Sequence, residues 1–257
     1  MTDTANDTVA VLQAPTTEIL DRLPRIGRLM VSASTDGITH ELIAPVDEVT
    51  HHERGVSLFQ RTSKDVSQVM AGDVARVVVD RSSVMRDKVY PRLGFETADG
   101  RMQFSVVGFE GLEPFDAALE GIAEARAPKT EAPEAPRAEA PALPDPRRIP
   151  DALALAASSA ADFTLGYEAK GGLLQFWTGR IAELKPAMGF INVILPAFHL
   201  HVKDGAIGWW QPYPFRQPGN PDGSATGRMR LAAFRPDGAM TPLTLYGPVE
   251  LFEPALA

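Results

Sequence analysis

The amino-acid sequence predicts an α+β protein built of two tandem, duplicated units of antiparallel β-sheet with flanking helices. Three features predict this class: short segments of alternating apolar and polar residues, turn residues between these segments, and a motif that occurs twice. Strands that follow one another through short turns form antiparallel meanders, and the predicted helices stand at the ends of strand runs. A chain of 257 residues is long enough for two modest domains.

The repeated motif indicates an internal duplication. Its first part occurs at a constant offset of 138 residues, from Arg92-Leu93, Asp99-Gly100 and Met102 to Arg230-Leu231, Asp237-Gly238 and Met240. After a slip of one residue the match continues, from Phe109, Phe115, Ala118 and Leu119 to Tyr246, Phe252, Ala255 and Leu256. In both copies Asp-Gly lies between alternating segments, which is typical of a tight hairpin whose central residues have positive φ. Each unit is therefore expected to end in a hairpin and a short helix.

A change in composition separates the two units. From Ala127 to Pro150, proline recurs every few residues among alanine and glutamate, which predicts a semi-rigid, solvated linker. The expected organisation is a first unit at 1–126, a linker at 127–150 and a second unit at 151–257. Packed as a pseudo-twofold pair, the units of one chain would bury their apolar faces as a monomer, and a homodimer is the alternative.

Alternation and capping residues place the elements. In the first unit we predict a helix at 16–23, strands at 27–34, 38–43, 56–61, 74–80, 89–97 and 102–109, and a helix near 113–125. In the second unit we predict a helix at 151–161, followed by strands at 163–168, 173–178, 190–195, 198–203, 206–211, 228–235 and 240–246.

Composition excludes several kinds of chemistry. The chain has no cysteine, so disulfides, cysteine-ligated metals, iron–sulfur clusters and a thiol nucleophile are ruled out. A net charge of −8 argues against a nucleic-acid partner, and no segment is apolar enough for membrane insertion. The polar, acidic N-terminus has no secretory signal, so we expect a cytoplasmic protein. No motif of a nucleotide-binding loop, a serine hydrolase or a zinc protease is present.

One predicted strand carries a pair of histidines. Side chains alternate along a strand, so His199 and His201 lie on one face while Phe198, Leu200 and Val202 face the core. Two imidazoles on one face are suited to binding iron or another metal ion, whereas the alternative is an exposed pair that binds nothing.

An ordered set of motifs runs from Leu173 to Tyr246. A Gln-x-x-Thr-Gly strand is followed by Asn-Val-x-x-Pro-x-Phe, a Leu-His strand, an acidic turn and an Ile with a Trp shortly after. The positions are Gln175, Thr178, Gly179, Asn192, Val193, Pro196, Phe198, Leu200, His201, Val202, Asp204, Ile207 and Trp210. This order resembles the C-terminal repeat of the HemS/ChuS/HmuS haem-utilisation family. The segment 23–42, which contains His40-Glu41, resembles the entry strands of that family more loosely.

The resemblance implies a HemS/ChuS/ChuX-like fold and a haem-handling protein with haem b as its cofactor. It also implies haem, a haem ABC importer and a haem oxygenase as partners. A non-catalytic carrier for haem trafficking or storage is expected, and a haem-degrading enzyme is the catalytic alternative. A third hypothesis is a haem-free descendant that serves as a partner-binding module.

The family usually supplies an axial histidine from a helix ahead of its second sheet, but the corresponding segment 149–161 contains no histidine. Either another residue binds the iron or haem binding has been lost. The candidate iron ligands are His199 and His201, and the candidate cofactor-binding residues beside them are Trp209, Tyr213, Arg216 and Arg180. The alternatives for this second set are ordinary core packing and surface charge. Tyr90 and Tyr167 are further conceivable ligands, because phenolates bind haem iron in some proteins.

Overall fold

The structure is a computed structural model that describes residues 8–53, 55–60, 66–69, 73–126, 151–168, 173–213 and 227–256. The predicted linker and Arg216 lie outside these ranges. The α+β class is confirmed, because every strand pair with a defined register in the described part of the chain is antiparallel and the helices are short. The chain divides into two compact units.

The strands and helices before the linker are, in chain order, β1 (Val9–Leu12), α1 (Thr16–Arg22), β2 (Arg28–Thr35), β3 (Ile38–His52), β4 (Gly55–Gln60), β5 (Val66–Val69), β6 (Arg76–Asp80), β7 (Val84–Met85), β8 (Lys88–Val89), β9 (Arg92–Glu96), β10 (Met102–Gly108), α2 (Leu112–Ala118) and β11 (Glu124–Arg126). Those after it are α3 (Ala152–Ala157), β12 (Phe163–Glu168), β13 (Leu173–Gly179), β14 (Lys185–Ala187), β15 (Phe190–Leu195), β16 (Phe198–Lys203), β17 (Trp209–Pro212), β18 (Arg228–Phe234), β19 (Met240–Pro248) and α4 (Val249–Phe252).

The first unit contains a sheet with the strand order β11–β1–β6–β9–β10–β2. Its core forms where apolar residues alternate along β6, β9 and β10, and the rings of Phe95 and Phe104 stack with centroids 4.1 Å apart. Helix α2 is held to this sheet by Phe115, which is fully buried and packs where Gly108 leaves no side chain of its own.

The second unit repeats this arrangement with the order β17–β18–β19–β12. Strands β6, β9, β10 and β2 of the first unit correspond to β17, β18, β19 and β12 in this order, and in each copy a hairpin is followed by a short helix. Phe252 of α4 packs against Gly247 much as Phe115 packs against Gly108. The predicted duplication is thus visible in the strand pairing. The meander β14–β15–β16 carries the histidine pair.

The hairpin turns of the two copies have the same backbone hydrogen bonds. Thr97 N donates to Arg101 O and Gly100 N to Thr97 O, and Arg235 and Gly238 repeat both bonds 138 residues later. The expectation of positive φ at both turn residues is wrong, because only the glycines have it, at +81° for Gly100 and +90° for Gly238. This is a three-residue loop that ends in a left-handed glycine rather than a two-residue turn.

The boundaries of several predicted elements differ from the structure. Helix α2 ends at Ala118, and Glu124–Arg126 forms the strand β11 instead of the end of a helix. Gly121, at φ +84°, reverses the chain between the two. Strand β1, which pairs with β11, was not predicted because a four-residue segment has too little alternation to be recognised. Helix α3 is shorter than the predicted 151–161 and ends at Ala157.

The two units do not follow the linker exactly. Among the described residues, the first unit includes 173–175 from the C-terminal half, and the second includes Thr35–His40 from the N-terminal half. The proposed domain boundaries at 126 and 151 therefore remain a prediction. In the described ranges no helix is long and apolar enough to cross a membrane.

Candidate functional site

The histidine pair lies on β16 in the second unit. Phe198, Leu200 and Val202 are buried, and His199 and His201 are half-buried on the opposite face of the strand, as the alternation predicts. The two imidazole rings lie 5.9 Å apart between centroids in an edge-to-face arrangement. Each ring offers a nitrogen, and the two nitrogens lie within 4.8 Å of one another.

Strand β16 is fixed by its neighbours. It pairs with β15 over six residue pairs, and this register places Asn192 opposite His201 and Ile194 opposite His199. On the core face, the Phe198 ring stacks on Trp177 with centroids 4.4 Å apart and an interplanar angle of 9°. The strand that presents the histidines is therefore anchored by packing as well as by its ladder.

Asn192 determines which nitrogen of His201 carries the proton. Its Nδ2 donates to the carbonyls of Lys185, at 2.8 Å, and Phe190, at 3.3 Å. The remaining atom, Oδ1, faces His201 Nδ1 at 2.6 Å and can only accept. Nδ1 is therefore the donor, and Nε2 is the lone-pair nitrogen of a neutral His201.

Asn192 belongs to the set of motifs between Leu173 and Tyr246, but its hydrogen bond to His201 was not predicted from the sequence. The signal that would have revealed it is the short turn at Pro196-Ala197, because a hairpin closed there pairs Leu195 with Phe198 and therefore Asn192 with His201.

The other three of the five histidines are placed differently. His40 is fully buried in the second unit and packs against Phe198, at 4.9 Å between ring centroids, and against Tyr167, at 5.8 Å. His51 Nε2 lies 2.8 Å from an Asp21 carboxylate oxygen, and His52 Nε2 lies 3.2 Å from the Ser57 hydroxyl. His40 is thus a core residue, and the other two sit in local polar contacts.

The aromatic candidates have contacts of their own. Trp209 is 8% exposed and stacks on Phe234, with centroids 5.7 Å apart and rings nearly parallel at 4°. Tyr213 is 39% exposed, and the Arg230 guanidinium lies over its ring at 5.0 Å from the centroid. One ring face of each candidate is therefore already covered by the second unit itself.

The cationic candidates are separated by their positions. Arg180 is exposed directly after β13, and Arg216 lies outside the described residues. The cation that the structure places beside Tyr213 is Arg230, which also lies 5.4 Å from the Tyr246 centroid and forms an ion pair with Glu168. The sequence did not reveal that Arg230 lies beside Tyr213, because this contact depends on strand register. In the structure, Tyr213 N donates to Arg230 O at 2.9 Å.

Tyr167 does not have the properties of a phenolate ligand. Its side chain is completely buried, and this burial raises the pKa of the phenol to about 12. A phenol of this kind stays protonated at neutral pH and lies out of reach of a bulky ligand. The imidazole pair is therefore a better donor set for iron than Tyr167.

Helix α3, which comes directly before β12, contains no histidine. Its residues are ALALAA, it is capped by the Asp151 carboxylate, and Ala152, Leu153 and Ala156 are buried. The helix turns a small apolar face to its own unit, which leaves no metal-binding side chain on it.

Comparisons with known proteins reveal the fold class. The chain is similar to the haem-degrading enzyme ChuS of Escherichia coli O157:H7, with a TM-score of 0.73 and 15% identity over 98% of this chain and 86% of that one. It is similar to holo-PhuS, a haem-binding protein of Pseudomonas aeruginosa, with a TM-score of 0.67 and 19% identity over 94% of this chain and 82% of that one. No family model and no curated protein matches the chain.

The chain thus has a tandem, duplicated α+β fold of antiparallel sheets. More particularly, it has the fold of the haem proteins ChuS and PhuS, along almost its whole length. The resemblance in fold that the motifs between Leu173 and Tyr246 predict is confirmed by these similarities.

Proposed function

We propose that this protein binds haem and serves haem utilisation in the cytoplasm as a non-catalytic carrier. The observation that carries the proposal is the similarity in fold to ChuS and PhuS, which covers 94% or more of this chain. Haem is the cargo in this proposal. Its expected chemical form is haem b, with a haem importer and a haem oxygenase as the partners before and after it.

The iron ligand is proposed to come from the pair His199 and His201. These two are half-buried side by side on one face of β16, whereas His40 is buried in the core and His51 and His52 are exposed at the end of β3. A neutral imidazole that donates Nδ1–H and keeps a lone pair on Nε2 is the form that binds haem iron, and Asn192 selects the Nδ1–H tautomer of His201. The residues present therefore fit the group.

Only one histidine of the pair is expected to bind a given haem iron. Both side chains leave the same face of one strand, so they approach a porphyrin from the same side. The exposed Arg180 is proposed to pair with a propionate, and Trp209 and Tyr213 are proposed to supply apolar contact at the rim. Arg216 is proposed as a second propionate partner.

The experiment is a haemin titration of the full chain followed by Soret absorbance, on the wild type, His199→Ala and His201→Ala. We expect saturable one-to-one binding, and at least about a tenfold loss of affinity in one of the two variants. His51→Ala is the matched control, because His51 is half-exposed in the first unit, contacts Asp21, and should leave the titration unchanged. A wild-type protein that leaves the Soret band unaltered would contradict haem binding and favour a partner-binding module.

Carrier and enzyme are separated by a second measurement on the same complex. With ascorbate and oxygen added, a carrier keeps its Soret band, whereas a haem-degrading enzyme loses it and gains the visible absorbance of a bilin. Formation of a bilin at a rate above that of free haemin would contradict the carrier assignment.

A further inference from the structure

We propose that His199 and His201 also form a chelating site for a bare divalent transition-metal ion, with Asn192 as its positioning residue. This inference does not rest on haem binding, because it follows from the geometry of the β15–β16 hairpin alone.

The distance between the two rings suits bidentate binding. Imidazole nitrogens bind such ions at about 2.0–2.1 Å, so two of them share an ion when they are at most about 4.2 Å apart. The two nitrogens of the pair already lie within 4.8 Å of one another. Rotation about the side-chain torsions of His199 would have to shorten this separation to close the chelate, while His201 stays on Asn192.

The hydrogen bond from His201 to Asn192 prepares the site. Metal-binding histidines usually donate their second ring nitrogen to an oxygen, which fixes the tautomer and the orientation of the ring. Here the Asn192 Oδ1 is that oxygen, at 2.6 Å. Asn192 is only 8% exposed and is itself held by two carbonyls, so it is a rigid support rather than a mobile surface amide.

The support below the histidines is also rigid. Phe198 and Leu200, which flank His199 on the core face, are 0% and 1% exposed, and the ladder to β15 is continuous along the strand. A well-packed strand needs little backbone reorganisation when its side chains bind an ion, which favours a useful affinity.

The donor set selects the class of ion. Two imidazoles favour Cu²⁺, Ni²⁺, Zn²⁺ and Fe²⁺, whereas Mg²⁺ and Ca²⁺ prefer sites made of oxygen. Because the chain has no cysteine, no thiolate competes for these ions.

The test is a calorimetric titration of the haem-free, full-length protein with Zn²⁺, and with Mg²⁺ as the contrasting ion. We expect one Zn²⁺ per chain, no Mg²⁺ binding at the same concentrations, and at least about a tenfold weaker Zn²⁺ affinity in His199→Gln and in His201→Gln. His52→Gln, in the polar contact with Ser57 in the first unit, is the control and should titrate as the wild type. Equal Zn²⁺ affinities in the wild type and both variants of the pair would overturn the proposal.

Two substitutions at Asn192 test its positioning role. Asn192→Asp keeps an oxygen for His201 Nδ1–H but loses the two bonds that the amide donates, so it should weaken Zn²⁺ binding less than Asn192→Leu. The Leu variant also removes the acceptor and is expected to weaken binding about 10–100-fold. Circular dichroism establishes that each variant is folded. Equal affinities in the folded Asp and Leu variants would overturn the role of Asn192. If the Leu variant does not fold, Asn192→Ala, which also removes the acceptor, takes its place in this comparison.

A haemin titration in the presence of saturating Zn²⁺ separates this inference from the proposed function. If one site serves both, Zn²⁺ weakens haemin binding in the wild type. A protein that binds Zn²⁺ through the pair but does not bind haemin would contradict the proposed function and support the metal site. Haemin binding without Zn²⁺ binding would support the proposed function and contradict the metal site.

Discussion

The stability of this protein at alkaline pH should depend on one buried residue, Tyr167. Burial raises the pKa of its phenol to about 12 in the folded state, against 10.0 for an ordinary tyrosine. Below pH 10 both states keep the proton and the full stability is present. Between pH 10 and 12 only the unfolded state releases it, so the free energy of unfolding falls by about 2–3 kcal/mol.

The measurement is urea denaturation of the wild type and of Tyr167→Phe at pH 8 and pH 11. The Phe variant should lose less stability between these two pH values. Tyr246→Phe is the comparison, because burial also raises the pKa of the Tyr246 phenol while the nearby Arg230 opposes the rise. An alkaline loss in Tyr167→Phe equal to that of the wild type would show that another group is responsible.

At the scale of single residues, alternation was sufficient to place His199 and His201 on one face, because that pattern is local to a strand. The roles of Asn192 and Arg230 were not predicted, since each depends on which residue of the neighbouring strand stands opposite. Trp209 is the kind of aromatic residue that often binds ligands, but one face of its ring packs against Phe234. Aromatic side chains at such positions contribute as much to packing as to ligand binding.

The two hairpin turns are expected to need their glycines. Gly100 and Gly238 have φ values of +81° and +90°, and a residue with a Cβ in this left-handed region costs about 1–2 kcal/mol. We expect Gly238→Ala to lower the free energy of unfolding by that amount, as measured by urea denaturation. Gly100→Ala should have a similar effect, because its turn has the same hydrogen bonds.

Gly238→Asn is the matched variant for this prediction. Asparagine adopts left-handed backbone conformations more readily than alanine, so it should recover part of the loss. If the Ala and Asn variants were equally stable, the strain at this turn would be smaller than its φ value indicates.

At the scale of elements, the sequence located long strands well and short ones poorly. Strands β12, β15 and β16 have the predicted bounds, because each is flanked by turn residues and has clear alternation. Strand β17 begins later than predicted, since Ala206 N bonds back to Lys203 O in a turn. The four-residue β1 and the three-residue β11 were missed, because segments this short become strands only by pairing with distant parts of the chain. Strand β1 pairs with β6 and with β11, which lies more than a hundred residues away.

At the scale of the whole molecule, the duplication predicted the fold but not the composition of the compact units. The second unit includes Thr35–His40, from the turn between β2 and β3. Within this unit, Lys203 N donates to Gly37 O at 2.8 Å and Arg235 pairs with Asp36 at 3.0 Å. A local pattern identifies the Asp-Gly turn but cannot show which distant strand it contacts. The sequence alone therefore predicts a division into two units at the linker.

This composition predicts the behaviour of a chain of residues 151–257 produced alone. Such a chain lacks Ile38 and His40, which are both fully buried, and His40 packs against Tyr167 and Phe198. The loss of each large buried side chain costs about 2–5 kcal/mol, and a whole domain is stable by only about 5–15 kcal/mol. We therefore expect the isolated half to melt well below the full chain, or not to fold, by circular dichroism.

A synthetic peptide of residues 28–52 added in trans should raise the melting temperature of the isolated half, and a peptide with Ile38 and His40 replaced by Ala should not. An isolated half that melts with the full chain would show that Thr35–His40 contributes little to the second unit, and that a division at the linker describes the molecule better.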